Sequence, residues 1–326
     1  MYRYLIPILI TIVTVSACGQ ANKPSLKEES KVNIPAFNPD SAYIYTAEQV
    51  AFGPRVPNTQ AHVDCGNYFV SKLKSFGATV YEQNANLKTY DGIELKAKNI
   101  IASFQPENKN RALLFAHWDT RPFSDRDPNP ENYRKPIDGA NDGAGSCAVL
   151  LELARQIGTQ QPAIGIDLIL FDAEDWGAPT FDEKNHPFSG YCLGSDFWGQ
   201  NPHIRNYTAR YGILLDMVSA PGARFYKEYY SKQTAPGIIK KVWEAAQICG
   251  YGQFFVDADG GGVEDDHTHV MKHRKIPCID IIHYDPATDH NFGAYWHTQN
   301  DNMDNISRET LKAVGQTLLY VIYHEK

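Results

Sequence analysis

The sequence predicts an α/β sandwich, with helices covering the faces of a central sheet. Two observations carry that reading. Short apolar runs alternate with helix-patterned segments in a βα rhythm, and no internal repeat or low-complexity tract interrupts it. Polar residues also cluster where apolar runs stop: His117 and Asp119, then Asp172, Glu174 and Asp175, then Asp216. In open α/β sheets, ligands bind beyond the carboxyl ends of the strands.

The apolar runs read as central strands are Ile100 to Phe104, Ala112 to Ala116, Ile166 to Phe171, Tyr211 to Leu215 and Cys278 to Ile282. Each is short and ends at a polar cluster, as a strand buried on both faces does. Helices are expected over Ala61 to Phe76, Ala144 to Ile157, Gly237 to Cys249 and Ser307 to Tyr323. Ser307, followed by Glu309 and Thr310, supplies the start signal of the last one.

Met1 to Gln20 carries one Arg near its start, an apolar stretch from Leu5 to Val15, and then small residues ending in Cys18. The stretch is shorter than the roughly 20 residues of a spanning helix, which makes it an export signal. Val15-Ser16-Ala17-Cys18 resembles a bacterial lipobox, in which the Cys is lipidated and becomes the mature N-terminus. An ordinary secretory signal with a coincidental Cys is the alternative. Residues 19–38 are rich in Lys, Glu, Ser, Asn and Pro, as a tether is. The expected organisation is therefore a lipoprotein signal peptide over 1–17, a lipidated Cys18 with a flexible tether over 18–38, and one domain over 39–326. The expected location is the bacterial cell envelope, periplasmic and anchored through Cys18, with membrane contact only through that lipid.

The net charge of −7 and the lack of a Lys/Arg run with interleaved aromatics argue against nucleic acid as a partner. The other cysteines (Cys65, Cys147, Cys192, Cys249, Cys278) are odd in number and contain no CxxC. They describe neither a disulfide framework nor a thiolate zinc site and read as mostly buried small apolar residues.

Five segments carry the chemistry: His117-Trp118-Asp119, Gly139 to Gly143, Glu174-Asp175, Leu215-Asp216-Met217 and Trp296-His297-Thr298. An acidic residue after a strand is often only a cap or turn former, so none of these is specific alone. Together they offer carboxylate oxygens plus imidazole without thiolate, a set that leaves catalytic zinc an open position.

On these segments, with Gly53-Pro54-Arg55-Val56-Pro57 and Leu193-Gly194-Ser195, the chain resembles the zinc aminopeptidase family from about Ala51 onward, and within it the glutaminyl-peptide cyclotransferases. The resemblance implies a three-layer sandwich with a central mixed, mostly parallel sheet. In the aminopeptidase branch it implies two zinc ions on His117, Asp142, Asp175, Asp216 and His297, with Glu174 as the base that activates water. Two features are similar to the cyclase branch instead. In Glu264-Asp265-Asp266-His267, Asp265 stands where aminopeptidases tend to have Ser; an extra carboxyl beside Asp216 makes the two acids share a proton. Trp296, directly before His297, matches the cyclase Trp that walls a small pocket for the glutaminyl side chain, and Phe292 matches another aromatic of that pocket.

What the cyclase resemblance implies is one zinc held by Asp142, Asp175 and His297, with Glu174 as proton shuttle and Asp216 and Asp265 as the supporting acid pair. Trp296, Phe292 and Trp176 would bind the substrate, a peptide or protein beginning with Gln. Trp176 departs from the animal enzymes, whose comparable Trp comes several residues later. Asp175 is one methylene shorter than the Glu of most relatives, and Cys147 faces Ala116 where the animal enzymes have a disulfide. Asp280 replaces a His near the site, and the loops Ser124 to Pro136 and Pro179 to Pro187 are longer and Pro-rich. Trp118, Trp198 and Trp243 are expected to be packing. The two rival readings are a two-zinc aminopeptidase and a non-catalytic peptide-binding lipoprotein. The second would fit a chain that had lost Glu174 or a zinc ligand, and none is lost.

Overall fold

The central strand β3 (Arg111–His117) shows why the chain folds in layers: every one of its residues is buried, and alternate side chains leave opposite faces. Ala112, Leu114 and Ala116 join one hydrophobic cluster, while Leu113 and Phe115 join another across the sheet. In β4 (Gly165–Phe171) the same alternation sends Ile166, Leu168 and Leu170 one way and Ile169 and Phe171 the other. A sheet apolar on both faces must be covered on both, which gives a three-layer sandwich.

In this computed structural model, Met1 and residues 32–182, 184–185 and 190–326 are described. Residues Asn33–Lys326 form one compact unit. The export signal, Cys18 and the tether up to residue 31 lie outside the described residues, as does part of the 179–187 loop. Asn33 to Asn38, expected in the tether, instead pack on the domain. Phe37 is buried, its N–H donates to Gln316 Oε1, and Gln160 Nε2 donates to the Asn33 carbonyl.

The helices are α1 (Pro39–Val50), α2 (Gln60–Ser75), α3 (Ser146–Thr159), α4 (Leu193–Gln200), α5 (Tyr229–Thr234), α6 (Pro236–Ile248), α7 (Asp266–Arg274) and α8 (Arg308–His324). The remaining strands are β1 (Thr79–Lys88), β2 (Glu94–Phe104), β5 (Gly212–Asp216), β6 (Phe225–Lys227), β7 (Phe255–Asp259) and β8 (Cys278–Ile282). The main sheet has the order β1-β2-β4-β3-β5-β8. Its β4-β3-β5-β8 portion is parallel and β1 and β2 add on antiparallel, so the sheet is mixed and mostly parallel. From β3 the chain crosses to β4 on one side and later returns to β5 on the other. The carboxyl end of β3 is thus the switch point where such sheets open a crevice.

All five expected strands and four expected helices are present. Thr59 caps α2 by accepting from His62 N, and Ser307 caps α8 by accepting from Thr310 N. The elements that were not expected have weak patterns. Edge strand β1 is mostly polar, and α7 reads Asp-His-Thr-His-Val-Met-Lys-His-Arg. Trp118, Trp198 and Trp243 are buried, and Cys65, Cys147, Cys192 and Cys278 are free and buried, with Cys249 half-buried. Among the described residues no helix is long and apolar enough to cross a membrane.

Candidate active site

Beyond the carboxyl ends of β3, β4, β5 and β8 lies a cavity of about 400 Å³, walled by Asp142, Glu174, Asp175, Asp216, Asp265 and His297 together with Phe292 and Trp296. Local backbone makes this convergence. Ala173, Met217 and His297 all have left-handed φ, at 54°, 51° and 55°, sharp turns that bring the neighbouring carboxylates and the imidazole to the crevice. Non-glycine residues tolerate that conformation only where the surrounding fold over-determines it, commonly at functional sites.

Asp142, Asp175 and His297 come together: His297 Nε2 lies 3.4 Å from Asp175 Oδ1 and 3.7 Å from Asp142 Oδ2. Ligand atoms at about 2.0–2.2 Å from a tetrahedral ion stand about 3.3–3.6 Å apart, so this triad has the spacing zinc requires. Asp175 Oδ2 is buried with no hydrogen-bond partner. Burial, reinforced by Asp142, pushes the Asp175 carboxyl well up, while burial, helped by Arg121, holds the His297 imidazole down at about 3. Arg121 Nη1, 3.4 Å from Asp175 Oδ1, offsets part of the negative charge, and the unpartnered Asp175 Oδ2 beside a neutral imidazole with a free lone pair fits a divalent metal.

A second triad adjoins the first. His117 Nε2 sits 3.0 Å from Asp142 Oδ1 and 3.2 Å from Asp216 Oδ1. Burial disfavours a charged imidazole there, but hydrogen bonds to Asp119, Asp142 and Asp216 outweigh it and raise the pKa of His117 well above the ordinary value. His117 thus lies between the two carboxylates, within hydrogen-bond reach of both.

Glu174 faces the cavity. Burial raises its pKa, opposed by His117 and reinforced by Asp175 and Asp265. Oxygens of Glu174 and Asp265 and the Cys192 sulfur fall within 4.8 Å of one another. Asp265 caps α7 and is pushed up to about 7 by burial and then by the Asp216 charge. Asp216 is raised too, with burial the first cause. The acid pair expected from the sequence thus stands in the cavity wall, each carboxyl raised by burial.

The apolar wall is Phe292 packed on Trp296 at 4.8 Å between ring centroids, with Trp296 stacked on His297 at 3.8 Å. Trp176 is not part of it. Asp175 pairs across an antiparallel bridge with Tyr191, and in extended backbone the next side chain points to the opposite side. Trp176 is buried with Val56, Leu87, Leu95 and Ala97, and Tyr191 takes its place at the cavity. Asp280, expected near the site, is buried on β8, its backbone N–H donating to Ser231 Oγ and its carboxyl pushed well up by burial and then by the Asp265 charge.

Several residues outside the expected ligand and catalytic sets position the site. Asp301 accepts the backbone N–H groups of Asn141 and Asp142 at 2.7 and 3.0 Å, fixing the Asp142 turn. Asp119 does the same for Glu174 and Asp175, at 3.0 and 3.1 Å. Arg121 is fully buried, donates from Nε to Asp125 at 2.7 Å and reaches the Asp175 carbonyl, and Asp125 in turn lies 3.6 Å from His297 Nδ1. Asp119 belongs to a segment the sequence singles out; the others come from loops distant in the chain.

The family model described as peptidase family M28 matches residues 99–322. Among solved structures, a Zn-dependent exopeptidase from Parabacteroides distasonis is 58% identical with a TM-score of 0.88, covering 90% of this chain and 100% of that one. The glutaminyl cyclase of Tannerella forsythia is 57% identical with the same TM-score and the same coverage. The glutaminyl-peptide cyclotransferase of Bos taurus is 25% identical over 245 residues, 68% of this chain and 64% of that protein. The chain thus spans just under two thirds of the length of that relative. A match of this extent, on a fold whose strand ends gather the carboxylates and imidazoles singled out in the sequence, identifies the chain as a member of peptidase family M28.

Proposed function

We propose that the chain is a glutaminyl-peptide cyclotransferase, converting N-terminal Gln of peptides and proteins to pyroglutamate with release of ammonia. The observation that carries this reading is Asp265. Its carboxyl, held at about 7 by burial and by Asp216, stands with Glu174 in the cavity wall as an extra proton-bearing group. The likeness to the Tannerella forsythia glutaminyl cyclase supports it.

Asp142, Asp175 and His297 would hold one zinc, whose chemistry is Lewis-acid polarisation of the γ-carbonyl. Asp216 and His117 support those ligands. An α-amine with pKa about 7.7–8.0 is partly neutral near pH 7, so a strong base is unnecessary. The amine nitrogen bonds to the side-chain amide carbon and the carbon–NH2 bond breaks. Glu174 takes the amine proton and returns it to the departing nitrogen, which leaves as ammonia. Asp216 and Asp265 steady the charge of the intermediate. Trp296 and Phe292 flank the methylenes of the glutaminyl side chain and keep water out, which favours ring closure over hydrolysis.

A two-zinc aminopeptidase is the second reading. His117, Asp142 and Asp216 also form a cluster competent for a metal, and the Parabacteroides distasonis relative is described as an exopeptidase. The test is ammonia release from a Gln-initiated dipeptide, with metal stoichiometry on the same sample. One zinc, ammonia and no free amino acid are expected. Two zincs with hydrolysis of a Leu-initiated peptide would overturn the proposal.

Export to the bacterial envelope and a lipid on Cys18 complete the proposal, on the strength of the lipobox-like segment. Metabolic labelling with a palmitate analogue should mark the wild type and not Cys18→Ser; equal labelling of both would refute it.

A further inference from the structure

We propose that Asp196, His269 and His273 form a second metal site, for a divalent transition cation, that ties α4 to α7. His269 and His273 are four residues apart on α7 and so share one face of that helix. Both aim a ring nitrogen at the same atom of α4: His269 Nδ1 and His273 Nε2 lie 2.9 and 2.7 Å from Asp196 Oδ1. One atom from each of the three residues falls within a common 4.8 Å. Two imidazoles and a carboxylate form a ligand set that suits zinc, copper or nickel. Opening the donors by roughly half an ångström accommodates bonds of about 2.0–2.2 Å.

The surroundings support a cation. Gln200 Nε2 donates to Asp196 Oδ2 at 2.6 Å, orienting the carboxylate and leaving Oδ1 to the imidazoles. The three side chains are 17–32% exposed, so water completes the coordination. The Lys272 ammonium, 3.7 Å from the same oxygen, sits on a side chain 65% exposed and is free to swing into solvent.

The position gives the site a consequence. α4 begins just after Cys192 and α7 just after Asp265, the two residues grouped with Glu174, and His269 itself lines the active-site cavity. A metal here staples together the two helices that place those groups. It adds stability without entering the reaction.

The experiment titrates zinc into the full-length protein by calorimetry, comparing wild type, His273→Gln, Asp196→Asn and Asp142→Asn. One equivalent should persist in Asp142→Asn, which disables the catalytic triad, and should weaken by about 100-fold or more in His273→Gln and Asp196→Asn. That pattern separates this site from the proposed catalytic zinc. Copper added to the zinc-loaded protein should give an electron paramagnetic resonance signal with two nitrogen ligands. The same metal should raise Tm by about 4 °C at a hundredfold excess over Kd. Equal affinity and stoichiometry in wild type, His273→Gln and Asp196→Asn, with the same copper spectrum in all three, would overturn the proposal.

Discussion

Replacing Glu174 by Gln removes the proposed proton carrier and leaves its scaffold untouched. The backbone N–H groups of Glu174 and Asp175 are held by the Asp119 carboxylate, so the turn stays in place. The proposed zinc ligands Asp142, Asp175 and His297 are unaltered, and the amide is nearly isosteric with the acid. The long approach of Glu174 Oε2 to His117 Nδ1, 3.8 Å, is the main ionic contact weakened. A positioned acid–base group contributes about 10²–10⁴-fold to rate, or about 2.7–5.5 kcal/mol of barrier. The expected result is that kcat for ammonia release falls by that factor, with KM and zinc content near wild type. Steady-state kinetics on a Gln-initiated dipeptide and metal analysis of the same preparation measure both. A kcat within about threefold of wild type would refute the shuttle role. Loss of zinc along with activity would show instead that Glu174 is a ligand.

Asp301→Ala leaves the N–H groups of Asn141 and Asp142 without their acceptor, and each buried orphan costs about 1–3 kcal/mol. Zinc affinity, measured by chelator competition, should fall about 10- to 100-fold with a lowered Tm; unchanged affinity would contradict the positioning role. Phe292→Ala should raise KM about tenfold by opening the apolar wall, whereas Trp176→Phe should lower the denaturation midpoint and leave KM alone; a KM effect from Trp176 would return it to the pocket. Burial lowers both His203 and His283 to about 4, so they stay neutral in the fold while the unfolded chain protonates them below about 6.5. Their effect on stability is nil above pH 6.5, and stability is lost as pH falls from 6.5 to 4, by at most about 3 kcal/mol each. Urea midpoints across that window test this, and His203→Phe should flatten the profile.

The parts of the fold legible in the sequence are those whose pattern is local. β3, β4, β5 and β8 are apolar runs because both of their faces are buried, and that is visible residue by residue. β1 and α7 have no local signature because an edge strand and a helix with a polar face answer to neighbours, not to their own composition. α1, which Asn38 caps and Pro39 opens, has little apolar periodicity and was not expected.

By itself the sequence determined which chemistry is present: carboxylates and imidazoles at the ends of apolar strands, with Asp265 as an added acid and aromatics before His297. Only the tertiary structure decided the direction of each side chain and the partners that hold it. Trp176 turned into a buried cluster and Tyr191 took its place at the cavity, because successive side chains of extended backbone point opposite ways. Asp301, Asp125 and Arg121 came to stand against the candidate metal ligands through contacts that join loops distant in the chain. Hydrogen bonds and charges act over a few ångströms of space regardless of sequence separation, so the groups that tune the site emerge only when the fold brings them together.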